Sequence, residues 1–240
     1  WFSTATPFTS GTLKQRVSSG DLLSHVGRVV KRNSALVGSL GIMPVLPDLG
    51  LDAFDIAPGG ETLFSCEDDV FSETLGPLYH GDLLSERGRI VRRNQQLTSA
   101  FMPEPPAPDV GLDAVQVMED REILFSIEQD IFSEALGVVL RPGDLLSDRG
   151  VIIRTNEELL ANFEPTNQQN DLGLDAIHVW QSGEIWFSTQ LGFQSKSLGT
   201  VADGDLLSDT GHIVFRNLEL LQPFSPLEKL ANFGLDGLFL

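Results

Sequence analysis

Four aspartates stand in one local pattern, at Asp52, Asp113, Asp175 and Asp236, each preceded by a Gly-Leu pair. Carboxylates gathered in that number hold a hard cation such as Ca²⁺ through oxygen ligands. The other reading is structural: an aspartate beside a glycine accepts backbone N–H bonds and locks the start of a strand. Recurrence at a fixed period suits a folding device, because a catalytic residue is usually needed only once. Both readings stand on the sequence alone. A second set, Asp21, Asp82, Asp144 and Asp205, lies between a glycine and two leucines, with a serine three residues on. These read as turn or strand-start residues which, if buried, must be hydrogen-bonded or paired.

No catalytic constellation accompanies them. His25, His80, His178 and His212 fall at four different places relative to these markers and give no metal-ligand spacing. Gly-x-Ser-x-Gly, His-Glu-x-x-His and P-loop patterns are missing from the chain. We therefore assign no catalytic residue, and a hard cation is the one cofactor expected. A pair of carboxylates acting on a glycoside is the competing enzymatic reading. The acidic runs Glu67-Asp68-Asp69 and Glu128-Gln129-Asp130 read as solvated loops, with a loop calcium site as the alternative. Trp1, Trp180 and Trp186 could form an aromatic ligand platform, but Trp1 and Trp186 hold equivalent positions, which favours core filling.

Composition narrows the partners. The chain has 240 residues, with 16 basic against 34 acidic side chains and a net charge of −18. Phosphate recognition and docking on anionic lipid both need basic clusters, so neither nucleic acid nor membrane is an expected partner. The same charge opposes self-association and predicts a monomer. Hydrophobic residues make up 41%, enough for a core. One cysteine, Cys66, leaves no disulfide framework and no cysteine-rich zinc site. The chain opens on Trp1 rather than Met, which reads as a segment of a larger, exported protein of bacterial type.

The elements that position these residues repeat four times. Gly-Asp-Leu-Leu-Ser begins at Gly20, Gly81, Gly143 and Gly204, in steps of 61, 62 and 61 residues. Gly-Leu-Asp begins at Gly50, Gly111, Gly173 and Gly234 in the same steps. Phe-Ser pairs at Phe2, Phe64, Phe125 and Phe187 and asparagines at Asn33, Asn94, Asn156 and Asn217 follow suit. Each unit predicts two hairpins, hence four strands, joined by a longer loop. Each asparagine then reads as the cap of one short helix, and a Pro-rich or polar loop leads to the next unit. Lys31, Arg32, Arg92, Arg93, Arg154 and Arg216 end the outermost strand, where charge blocks sheet-to-sheet pairing.

Three units are contiguous: 50–110, 111–172 and 173–233. The remaining one is split between 234–240 and 1–49. A repeat divided between the two ends predicts a ring closed by their pairing, which removes an exposed edge. The expected fold is all-β: a single four-bladed β-propeller over residues 1–240. Ala53, Ala114, Ala176 and Gly237 would be small where the innermost strands crowd together. Phe54, Val115, Ile177 and Leu238 would pack against a neighbouring blade.

The unit resembles a hemopexin-type blade through Leu51-Asp52-Ala53, Leu112-Asp113-Ala114, Leu174-Asp175-Ala176 and Leu235-Asp236-Gly237. That resemblance implies four blades of similar length. Two departures limit it to architecture: Cys66 alone cannot form the family's closing disulfide, and Gly-Asp-Leu-Leu-Ser is not a hemopexin signature. The function expected is a non-enzymatic scaffold that binds a protein or small-molecule ligand.

Overall fold

The computed structural model describes residues 1–46, 48–106, 109–166 and 171–240. Four antiparallel sheets of four strands form the blades of a propeller. From axis to rim, one blade runs Phe54–Ala57, Glu61–Phe64, Leu83–Ser85 and Arg89–Arg92. The next runs Val115–Val117, Ile123–Phe125, Leu145–Ser147 and Val151–Arg154. The third runs Ala176–Val179, Ile185–Ser188, Leu206–Ser208 and His212–Phe215. The fourth is Gly237–Leu238, Phe2–Ser3, Leu22–Ser24 and Arg28–Lys31, so the two chain ends share one sheet. Phe2 pairs with Leu238 and Ser3 with Gly237, and Phe239 N–H donates to the Trp1 carbonyl at 2.9 Å. The four inner strands touch in a closed cycle around the axis.

The core lies between the blades, in four layers. Successive side chains of a strand point to opposite faces, so each sheet feeds two layers. Ala53, Leu63 and Leu83 pack with Val115 and Phe125 of the following blade, while Phe54, Phe64 and Leu84 pack with Leu22 and Leu36 of the preceding one. Adjacent leucines of Gly-Asp-Leu-Leu-Ser thus serve two interfaces. A register shift between them recurs in all four blades and increases the local twist.

The residues between the second and third strands are not a plain loop. They form an added two-stranded hairpin in every blade: Phe8–Ser10 with Gln15–Val17, Val70–Ser72 with Gly76–Leu78, Ile131–Ser133 with Val138–Leu140, and Phe193–Ser195 with Gly199–Val201. A buried serine pins each one to the blade beside it: the hydroxyls of Ser10, Ser72, Ser133 and Ser195 donate to the carbonyls of Phe224, Leu40, Phe101 and Phe163 at 2.5–2.7 Å.

Each blade also carries the short helix expected, Asn33–Val37, Asn94–Thr98, Asn156–Leu160 and Asn217–Leu221. The asparagine is its first helical residue, not its cap; Arg32, Arg93, Thr155 and Arg216 hold the cap position. The buried asparagine side chain turns away from the helix instead. Asn94 donates to the carbonyls of Gly81 and Gly111 and accepts from Val110 N–H, joining the third strand to the start of the next blade. Arg92 and Arg154 end the exposed outer strands, but the arginines at the helix cap are ion-pair partners rather than edge guards. Arg32, Arg93 and Arg216 reach the buried Asp21, Asp82 and Asp205 at 2.5–2.6 Å. Those aspartates also accept N–H bonds from their own turn and from the first helical residue, as a turn role requires. Polar loop residues 167–170, which include Asn167, lie outside the described residues.

Candidate metal centre

The inner strands deliver four carboxyl groups to one end of the axis. Each Gly-Leu-Asp segment enters its blade just before the inner strand, and closure of the ring brings Asp52, Asp113, Asp175 and Asp236 together. All four pKa values are raised well above the ordinary aspartate range. Burial is the largest cause, and neighbouring carboxylates add to it: Asp113 for Asp52, Asp175 for Asp113, Asp236 for Asp175, and Asp52 for Asp236. Like charges in a desolvated site cannot all ionise cheaply.

A second tier rises above the first. Glu67, Glu128 and Gln190 are equivalent residues of three blades; the fourth blade has Ala5 there. With Asp52 and Asp113 they line a recess at the mouth of the axis. The sequence offers these glutamates as solvated loop acids or a separate loop calcium site, not as neighbours of the axial aspartates, because their direction is set by the glycine of Gly-Leu-Asp. Gly50, Gly111 and Gly173 have φ of +69°, +79° and +70°, and a Cβ on any of them would run into Glu67, Glu128 or Gln190 respectively. Glycine is thus needed twice, for its left-handed backbone and for the side chain lying across it. Burial, then nearby carboxylates, raises the Glu67 pKa; burial also raises that of Glu128.

The expected hydrogen bonds from backbone amides to the inner aspartates do not appear. Asp113 accepts from Gln190 Nε2 at 2.5 Å. Among the described residues no hydrogen bond reaches the carboxyl groups of Asp52, Asp175 or Asp236. Asp52, Asp113 and Glu128 each place an oxygen within 4.8 Å of the other two. Ca²⁺ binds oxygens at about 2.3–2.6 Å, so three oxygens with that spread can share one ion. Asp175 and Asp236 stand beyond this trio and contribute charge to the same mouth.

One histidine joins the site. His80 Nδ1 lies 2.8 Å from Asp69 Oδ1, and its Nε2 lies 3.5 Å from Asp109 Oδ1 and 3.7 Å from Glu128 Oε2. Burial would lower its pKa, but the Asp69 hydrogen bond and the carboxylates of Glu128 and Asp109 outweigh it and the net shift is upward. Charged His80 lowers the cost of ionising Glu128. Cys66 stays buried and inert as a thiol, its pKa pushed up to about 12 by burial and by Asp52 and Glu67.

Trp186 packs against the core layer of Leu206 and Leu238, whereas Trp1 and Trp180 are not core filling. Trp1 and Trp180 remain exposed over more than a third of their surface, and Trp186 is half-buried, while phenylalanines fill the core. The tryptophans sit at the end of the inner and second strands away from the carboxyl groups.

No protein-family model matches this chain, and no curated protein matches it. Several solved structures are similar at low scores, three of them as follows. Virginiamycin B lyase from Staphylococcus aureus aligns over 70% of this chain and 43% of its own, at 15% identity and a TM-score of 0.29. A streptogramin B lyase aligns over 70% and 42%, at 18% identity and a TM-score of 0.27. The extracellular domain of the one component system BT4673 from B. thetaiotaomicron aligns over 99% and 36%, at 9% identity and a TM-score of 0.38. The chain spans less than half the length of each, and similarity at this level carries no argument about activity.

Proposed function

We propose that this propeller is a non-enzymatic binding module whose axial mouth takes a hard divalent cation, with Ca²⁺ the best fit. The observation that supports the reading is the Asp52, Asp113 and Glu128 trio, three carboxyl groups whose oxygens lie within 4.8 Å of one another. An oxygen-only donor set of several acids suits Ca²⁺ over softer metals. Asp175, Asp236 and Glu67 enlarge the negative field that draws the ion in. The hemopexin-type likeness contributes four-bladed architecture to this reading and nothing about ligand.

Repetition also supports binding over catalysis. The carboxyl groups of the inner tier are equivalent members of one ring, whereas acid–base catalysis needs two groups whose environments push their pKa values apart.

Isothermal titration of EDTA-treated protein with Ca²⁺ tests the proposal. Saturable binding that tightens as pH rises is expected, because the ion must displace protons from carboxyl groups with raised pKa. A melting midpoint unmoved by either EDTA or millimolar Ca²⁺ would remove the cation from the reading. Turnover of a glycoside or ester, abolished by one of these carboxylate substitutions, would replace the module with a hydrolase.

A further inference from the structure

A wide cleft lies at the opposite end of the inner strands from the carboxyl groups. It has a volume of about 750 Å³ and opens between two neighbouring hairpin tips, one at Met118–Glu122 and one at Trp180–Glu184. A small-molecule site is ordinarily a concavity of about 300–1,000 Å³ with apolar walls and a few placed polar groups. Its floor is fixed by a staple between blades: Gln116 accepts from Val179 N–H at 2.6 Å and donates to the Val179 carbonyl at 3.3 Å. Met118, Val117 and Val179 give it apolar surface.

Its aromatic wall is built rather than incidental. Trp180 lines the cleft at 37% exposure. It is held from behind by His178 and Trp186, whose ring centroids lie 4.7 and 5.2 Å away. Trp186 is itself tied by Nε1–H to Glu184 at 2.8 Å. Trp180 and His178 do not repeat around the ring: the positions equivalent to Trp180 are Ala57 and Met118, and those equivalent to His178 are Asp55, Gln116 and Phe239, whereas Trp186 has Trp1 as its equivalent. In a fourfold molecule the folding residues recur; Trp186 packs against the core, but Trp180 and His178, confined to one blade, follow no repeat.

The charges select the ligand. Asp120 and Glu122 are both engaged by Arg149, at 2.6 and 3.1 Å. Burial, and then the positive Trp1 amino group, hold the His178 pKa below its usual value. Glu119 is left as the carboxylate without an ion pair among the described lining residues. An anion is repelled here, and one lining indole is no cage for an organic cation. A ligand with an apolar face for the indole and hydroxyls for Glu119, Gln181 and Ser182 remains.

We infer that the Trp180 cleft is a binding site for a neutral sugar, a pyranose ring stacking on Trp180 with its hydroxyls directed to the polar rim. This site is separate from the axial mouth and needs no metal.

Intrinsic tryptophan fluorescence and calorimetry, run on EDTA-treated protein with methyl glucoside, methyl galactoside, maltose and cellobiose, test it. At least one of the four is expected to shift the emission saturably in the millimolar range. Trp180→Ala should weaken that binding by about tenfold or more, and Asp113→Asn should leave it unchanged. If Trp180→Ala unfolds the chain, Glu119→Gln, at an exposed hairpin tip, is the second variant and should weaken binding severalfold. No saturable response to any of the four sugars, or binding indifferent to both cleft variants, overturns the inference. Tetramethylammonium binding in place of sugar overturns the ligand class.

Discussion

At the scale of single residues, the inner aspartates set stability against binding. Asp113 is buried, and its folded pKa lies above its unfolded value, so the folded state holds a proton that the unfolded state has released. Its contribution to stability is therefore present at acid pH and lost as pH rises from about 4 through the raised pKa. Asn at this position keeps the shape and can still accept from Gln190, yet carries no charge at any pH. Without metal, Asp113→Asn should match the wild type near pH 4 and exceed it at pH 8 by roughly 1 kcal/mol or more, one pKa unit being worth about 1.4 kcal/mol. With saturating Ca²⁺ the order should reverse, because the variant has lost a ligand. Chemical denaturation at both pH values, with and without Ca²⁺, reads this directly; parallel pH profiles for the two proteins would exclude ionisation of Asp113 as a source of strain. The recurrence of these aspartates is legible from spacing. The involvement of Glu67 and Glu128 is not, because it depends on the left-handed glycines across which those side chains lie. Asn94 shows the same limit. A residue at the start of a helix reads as its cap, and only the curvature of the blade reveals that its amide is used on two carbonyls behind it.

Among the elements, the inner strands show how the blades fit one another. Each layer sets a small residue of one inner strand near a larger one of the next: Ala53 with Val115, Ala114 with Ile177, Ala176 with Leu238. The fourth layer takes this to its extreme. Gly237 faces Phe54, and a Cβ on Gly237 would meet the Phe54 ring at 2.4 Å. Gly237→Ala should therefore cost about 1–3 kcal/mol by overpacking. Phe54→Val in that background recreates the pairing of the other layers and should recover most of the loss. The two substitutions then couple by more than about 0.5 kcal/mol in a double-mutant cycle of unfolding free energies. Additive effects would show that the steric match is not what sets residue 237. The four main strands of a blade are readable because their apolar positions repeat with the unit. The added hairpins are less legible, because apart from their recurring serine the residues of these short strands differ from unit to unit, as Phe8-Thr9-Ser10, Val70-Phe71-Ser72 and Phe193-Gln194-Ser195 show. Their buried serines recur with the unit and accept from their own turn, as Ser133 does from Leu136 N–H, but the bond each donates, such as Ser133 to the Phe101 carbonyl, crosses between blades and leaves no local pattern.

For the molecule as a whole, closure determines what can be cut. Three blade junctions carry a serine that reaches the next blade: Ser65 to Leu112, Ser126 to Leu174 and Ser188 to Leu235, at 2.8–2.9 Å. The equivalent Ser3, beside the paired chain ends, is buried with no partner for its hydroxyl. That junction, between the split blade and the blade of Phe54–Ala57, relies instead on Leu22, Leu36, Leu51 and Phe54 in the core, while the pairing of Gly237–Leu238 with Phe2–Ser3 holds the split blade itself together. Removing residues 234–240 takes away the inner strand of one blade and with it Leu235 and Leu238, and should abolish cooperative unfolding. The position of the break should matter far less than closure itself. In the blade that follows, inner and second strands are joined through an exposed turn at Gly59 and Gly60, where a Cβ would meet nothing within 4 Å. A permuted chain that joins Leu240 to Trp1 through a short polar turn, and starts at Gly60, keeps all four sheets. It should fold with a single transition within about 2 kcal/mol of the parent, since lengthening or moving an exposed loop changes closure entropy only slowly. Denaturant titrations of the parent, the truncated chain and the permuted chain make the comparison. A truncated chain as stable as the parent would mean that the paired ends hold nothing together, and a permuted chain that fails to fold would mean that the break, rather than the ring, is what the sequence requires.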